Sequence, residues 1–253
     1  MSKIMTAQEL TKHCERAVTD LKNLLLSFAQ SAVEKMPKRA MLIAYWVKTY
    51  VKYIQREDSF SPESVYKLKR GSVVCVEFGY RIGRELGGRH YAVVLDANNS
   101  IHRNTVTVVP LGSLKAHSRD DEYNVLLEDG VYVPVHQKVD ALIKDARAAL
   151  QDALSMNATI DSAVAEDRVV LRTIQRQKRD SAEKLIEQAN SWMEEISQLS
   201  SGSVAKVDQI TTVSKMRISQ PLKKTHPLYG VRLSAEDLDK IDAQLMKLYF
   251  SKK

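Results

Sequence analysis

The sequence predicts an α+β chain in which antiparallel strands from two separated stretches are combined with long amphipathic helices. Three observations carry this reading. Between Leu68 and Ser113 lie three β-branched runs, VVCVEF (73–78), YAVVL (91–95) and TVTVVPL (105–111). They are separated by turn formers: Gly79, Gly83, Gly87 and Gly88, then Asn98, Asn99 and Asn104. That is the pattern of consecutive antiparallel strands. Before them, residues 6–56 carry apolar side chains at three- and four-residue spacing, the helical period. After them, 138–199 contains no glycine or proline and returns to the helical period.

Taken in order, residues 6–36 form an amphipathic helix through Leu10, Cys14, Ala17, Leu21, Leu24, Leu25 and Phe28, with Pro37 ending it or beginning the next. A second helix covers 38–56 and completes a hairpin. On it Lys48, Lys52 and Arg56 make an i, i+4, i+8 stripe beside Tyr45, Trp46, Tyr50 and Tyr53. Cations interleaved with aromatics suit phosphate tracking and base stacking. A hairpin with an aromatic core and solvated lysines explains the same residues. SPES (61–64) offers a capped turn into the strands.

EYNVLLEDG (122–130) reads as a fourth strand, and VYVPV (131–135) as its extension, with Pro134 confining it to a sheet edge. From 138 to 200 the pattern is helical. The second half has a seam of Leu171, Ile174, Lys178, Ala182, Leu185, Ala189, Trp192, Ile196 and Leu199. From Ala182 onward this alternates three and four, the coiled-coil period. The first half, with Val139, Ile143, Ala146, Leu150 and Leu154, folds back on it around 157–161. This antiparallel arm is a candidate to pack against the N-terminal helices. VDQITTVSKMRI (207–218) has strand character, Pro221 and Pro227 punctuate a basic loop, and 234–250 is a final helix opened by Ser234 with Asp237 three residues on. The expected organisation is 1–66 helical, 67–137 the first part of a β domain, 138–200 an inserted helical arm, and 201–253 the second part with a closing helix.

Composition narrows the classes. The chain has 253 residues, 44% hydrophobic and 27% charged, with a formal net charge of +7, as in an ordinary soluble protein. That charge divides as +3 over 1–66, +1 over 67–137, −2 over 138–200 and +5 over 201–253, so the two ends are the candidate polyanion-binding parts. Cys14 and Cys75 lack metal-type pairing and read as free thiols in a reducing cytoplasm. Charges break the first twenty residues, so no secretory signal is expected. The longest apolar run, AMLIAYWV (40–47), is too short to span a bilayer. No metal-ligand cluster and no cofactor motif is evident. The connection 79–90 is too long for a tight hairpin and too charged for burial. Arg81, Arg84, Glu85, Arg89 and His90 sit in or beside it, and loops held by strands are where binding and chemistry concentrate.

Several stretches together resemble the PemK/MazF family of toxin endoribonucleases from bacterial toxin–antitoxin systems. KRGSVVCVEF (69–78) is similar to the family's opening basic-Arg-Gly strand, and GRELGGRHYAVVLD (83–96) to its Gly-x-Glu-x-Gly-Gly loop and second strand. TVTVVPLGS (105–113) resembles its third strand, EYNVLLEDG its next, VDQITTVSKMRI its Asp/Glu-Gln-Ile…Arg strand, and 234–250 its closing helix. The resemblance covers about 67–130 and 204–250. It implies an SH3-like (PemK/MazF/CcdB-type) β-barrel that cuts single-stranded RNA without metal. An ungapped comparison sets His90 where the family has its catalytic arginine, with Arg89 one position earlier. The family's hydroxyl falls on Gly112, with Ser113 its neighbour.

On this reading His90 transfers a proton, Arg89 stabilises the phosphorane, and Ser113 places the scissile phosphate. Arg81, Arg84, Lys223 and Lys224 contact RNA, and Glu85 braces the loop through Arg81 or Arg84. The implied partners are single-stranded RNA and a cognate antitoxin, with a homodimer as a further possibility and no membrane. The alternative is a non-catalytic, toxin-like barrel that binds RNA or a protein target, a topoisomerase or an antitoxin.

Overall fold

The computed structural model describes residues 5–115, 118–127, 130–197 and 202–250. It divides into two compact units, one of residues 1–60 and 78–88, the other of 61–77 and 89–253.

The first unit is built on two helices, α1 (Ala7–Ala29) and α2 (Lys35–Arg56). α1 opens on a capping box. Thr6 Oγ1 accepts from the Glu9 N–H, and the Glu9 carboxylate accepts from the Thr6 N–H at 2.8 Å. The Thr6 N–H bond, with the Thr6 hydroxyl donating to the same carboxylate at 3.0 Å, holds the Glu9 carboxyl below its ordinary range. The predicted first helix ends seven residues early because Pro37 lies in the first turn of α2, where its missing N–H costs nothing. Residues 78–88 complete this unit as a closed loop. The Phe78 N–H donates to Gly88 O at 2.8 Å, and the Gly88 N–H to Gly79 O at 2.7 Å. Arg39 ties the loop to α2, its Nε donating to the Tyr80 hydroxyl at 2.9 Å while its guanidinium lies over the Phe28 ring.

The second unit is a mixed structure around an antiparallel sheet. Its strands are β1 (Val73–Glu77), β2 (Arg89–Val94), β3 (Thr105–Ser113), β4 (Asn124–Leu127), β5 (Ser203–Lys206), β6 (Thr211–Ser214) and β7 (Ile218–Gln220). The hydrogen-bonded order is β4-β5-β3-β2-β1-β7, with β6 also on β3, and the barrel does not close. β3 organises it. One edge pairs Val108–Pro110 with Ala92–Val94 of β2. The other pairs Thr105–Val108 with β6 and then Leu111–Ser113 with β5. Pro110, which has no N–H to give, sits where that second edge passes between partners.

Two expectations change here. VYVPV is not an edge strand: α3 (Tyr132–Ser155) begins at Tyr132, and Pro134 occupies its first turn. The stretch 207–218 is not one strand, because single helical turns at Val207–Gln209 and Lys215–Arg217 break it into β6 and the start of β7. The four-residue β5 lies just before it.

The arm runs through α3, α4 (Asn157–Ser162) and α5 (Ala165–Ser197), with the expected reversal at 157–162. Its seam is made of small residues: Ala146, Ala153, Ala182 and Ala189 are all buried, which lets the two backbones approach closely. At the tip the seam departs from expectation. Leu154 is 51% exposed and Ile174 38%, and Gln175 instead bonds across the pair, donating from Nε2 to Ala153 O at 2.9 Å and Asn157 Oδ1 at 2.8 Å. Leu199 lies outside the described residues, and the Ile196 side chain is likewise not described. At its base the arm joins the sheet core, where Val135, Val139, Ala189 and Trp192 cluster with Val73, Val109, Leu127, Val207, Leu228 and Ile241. The last helix, α6 (Ala235–Leu245), is capped by Ser234 Oγ accepting from the Asp237 N–H at 3.0 Å.

Ala189→Leu forces three extra heavy atoms into a fully buried seam and is expected to cost about 1–3 kcal/mol in urea unfolding, whereas Leu154→Ala should stay within about 0.5 kcal/mol. Gly79 has φ +74°, and a Cβ there would lie 2.5 Å from the Trp46 ring. Gly79→Ala is therefore expected to lose about 2 kcal/mol and to shift the tryptophan fluorescence as Trp46 is displaced.

Candidate functional site

In a strand successive side chains leave opposite faces, and this decides which predicted residues meet. His90 is the second residue of β2 and pairs with Val76; Arg89 pairs with Glu77. His90 lines a cleft of about 750 Å³ together with Gly112 and Ser113 from the end of β3. Arg89 is exposed and does not line it. The structure thus brings His90 and Ser113 together and turns Arg89 to the other face.

The rest of the cleft comes from residues that the sequence reading passed over. Lys115, Ser118 and Arg119 follow β3, Asp121 and Asn124 lead into β4, and Lys206 ends β5. Lys206 is positioned because β5 pairs with both neighbours: Asn124 faces Lys206 on β4, and Gly112 faces Val204 on β3. Gly112 has no side chain to fill the space between, and a Cβ there would come 3.4 Å from Lys206 Cε. Lys206 Nζ donates to Asn124 Oδ1 at 2.6 Å. The Asn124 amide in turn donates to both Asp121 carboxylate oxygens at 2.7 Å. Asp121 also accepts from the Tyr123 N–H at 2.8 Å, and this backbone bond is the first cause holding its carboxyl below the usual range. An acidic group braces the wall while Lys115, Arg119 and Lys206 present positive charge. His90, a hydroxyl and three cations on one cleft form a set able to move a proton beside a bound phosphodiester.

The other predicted residues lie elsewhere. Arg81, Arg84 and Glu85 belong to the closed loop of the first unit. There Arg81 Nε donates to Phe78 O at 3.2 Å, and its Nη1 lies 3.5 Å from Glu85 Oε2. Gly87 is required in that loop, since a Cβ would come 2.6 Å from Gly79 O. Lys223 and Lys224 are exposed on the loop after β7 and do not line the cleft. Cys14 is exposed and Cys75 buried, and neither forms a disulfide. Among the described residues no group of three or more His, Cys, Asp or Glu could hold a metal ion, and no helix is long and apolar enough to cross a membrane.

No curated protein matches the chain. Residues 69–155, from the residue before Arg70 through β1–β4 to the end of α3, match the model of the PemK-like, MazF-like toxin of type II toxin–antitoxin systems. The match spans 87 of the chain's 253 residues, and over that segment the sequence is similar to the PemK-like, MazF-like toxin family.

Proposed function

We propose that the protein is a toxin endoribonuclease that cleaves single-stranded RNA in the cleft of its second unit, by a reaction that needs no metal. The observation that carries the reading is the meeting of His90, Ser113, Lys115, Arg119 and Lys206 on one cleft of a family domain. Histidine changes charge between about pH 5 and 8, which suits proton transfer at neutral pH. His90 takes the proton of the ribose 2′-hydroxyl, and the 2′-oxygen attacks phosphorus. The bond from phosphorus to the 5′-oxygen breaks, and the leaving oxygen takes a proton from solvent at the exposed mouth. Lys206, Arg119 and Lys115 oppose the charge that builds on the phosphorane, and Ser113 donates to a phosphate oxygen. The products are a 2′,3′-cyclic phosphate and a 5′-hydroxyl. The protein acts in the cytoplasm, where an antitoxin holds it inactive.

The test is cleavage of a panel of single-stranded RNAs with EDTA present. His90→Ala is expected to lose about a hundred- to ten-thousandfold in rate while retaining RNA binding. Arg89→Ala, on the opposite face, should lose less than tenfold. Full activity of His90→Ala would remove the mechanism, and absence of cleavage by the wild type would leave a binding protein.

The cations can be tested apart from the proton transfer. Lys206→Gln and Arg119→Gln should each lower kcat more than they raise KM, by about ten- to a thousandfold in kcat. Lys223→Gln with Lys224→Gln, outside the cleft, should instead weaken RNA binding with kcat unchanged. Equal effects of the two pairs on KM alone would show that the cleft cations only bind.

A further inference from the structure

α2 carries six basic residues, Lys35, Lys38, Arg39, Lys48, Lys52 and Arg56, and no acidic one. At 100° per residue, Lys38, Met41, Tyr45, Lys48, Lys52 and Arg56 fall within a stripe roughly 80° wide along the length of the helix. The structure leaves that stripe uncovered. All six residues are exposed, with Tyr45 at 64%, although α1 packs along α2. Among the described residues Lys38, Lys48, Lys52 and Arg56 make no ion pair. Four like charges on one face repel one another, and such an arrangement is relieved by a polyanion.

The aromatics divide between two tasks. Trp46 is half-buried in the unit, tilted against Tyr50 and Tyr53 with ring centroids 5.9 and 6.4 Å away, and its ring lies where a Gly79 side chain would be. Tyr45 stays outside, between the cations of the stripe. Lys48, Lys52 and Arg56 recur every four residues, about 6 Å apart along the axis, close to the separation of successive phosphates on one strand. A run of acidic side chains would satisfy the charge, but carboxylates by themselves give Tyr45 no ring to stack on. RNA offers both a phosphate ladder and unstacked bases.

We infer that α2 is an RNA-binding surface, in which Lys38, Lys48, Lys52 and Arg56 contact the phosphates of a single strand and Tyr45 stacks on a base. The inference rests on RNA being the ligand, as in the proposed function, and does not depend on cleavage. It gives the N-terminal helices, which lie outside the matched family segment, a task of their own.

The experiment uses the full chain and a fluorescein-labelled, fully 2′-O-methylated 20-nucleotide RNA, which cannot be cut, with anisotropy measured at several salt concentrations. In K48Q/K52Q/R56Q the slope of log K against log salt is expected to fall in magnitude by about 2, as for the loss of three contacts to a single strand. Tyr45→Ala is expected to weaken binding roughly tenfold with little change of slope. An unchanged salt slope in the triple variant overturns the inference. So does a triple variant that binds RNA like the wild type but loses a polyglutamate peptide that the wild type retains. Because these side chains are exposed, the circular dichroism spectrum and Tm should match the wild type, and a collapsed spectrum is met by repeating the measurement with each single variant. Wild-type binding with this slope, together with no cleavage of ordinary RNA, would uphold the α2 surface while rejecting the proposed function.

Discussion

The cleft depends on one piece of pairing, the insertion of Ser203–Lys206 between β3 and β4. Without it β3 has no partner beyond Val108 on that edge, β4 has no sheet to join, and Lys206 has no fixed position opposite Asn124. The pairing joins residues far apart in sequence, because the whole arm lies between β4 and β5. An antiparallel helical pair bridges the separation, since α3 leaves the sheet and α5 returns to the same end of it. Trp192, Ala189, Val139 and Val135 then fasten both helices to the sheet core, so the arm is anchored by the core that it interrupts.

Away from the cleft lining, polar groups are held by specific hydrogen bonds. Asn99 is buried and donates to Asp96 Oδ2 at 2.7 Å and Thr105 O at 3.1 Å, fixing the connection from β2 to β3. Lys215 is buried as well, its Nζ donating to Ser100 O at 2.8 Å. Burial pushes its pKa down, with repulsion from Arg103 adding to the effect. Arg217 Nε donates to Glu77 O at 2.8 Å, joining β1 to the turn before β7. The predicted Asp-Gln-Ile…Arg stretch thus includes residues that tie strands together, and none of its residues lines the cleft.

The strands β1 to β4 and the long helices were legible because each carries its own period, two or about 3.6, over enough residues. β5 was not, because four residues reading SVAK hold too little pattern, and with it went Lys206. VYVPV misled because β-branched residues suit a strand, while the proline that seemed to mark an edge fits a first helical turn equally well. The seam at the arm's tip moved because helical period alone cannot tell which of two neighbours, Ala153 or Leu154, faces the partner; close packing selected the smaller. At the site, His90 and Ser113 could be named from sequence, but their company could not. Lys115 and Arg119 lie outside strand and helix, where no periodicity tells which way a side chain points. Arg89 and His90 differ by one residue, and only the register against Val76 and Glu77 separates their faces.

Gly130, at the start of the arm, has φ +48°, and a Cβ on it would lie 3.1 Å from the Ser203 backbone nitrogen and 3.2 Å from its Cβ. The two ends of the insertion therefore touch. A chain closed at such a pinch pays an entropy that grows only with the logarithm of its length, and helix pairs form from contacts near in sequence, faster than sheets do. The arm is thus suited to form early and to deliver Ser203 to its strand partners with the closure already made. Weakening its seam would then slow the arrival of β5 more than it would hasten its departure, so that the rate at which newly made protein acquires its cleft is set in a part of the molecule remote from it.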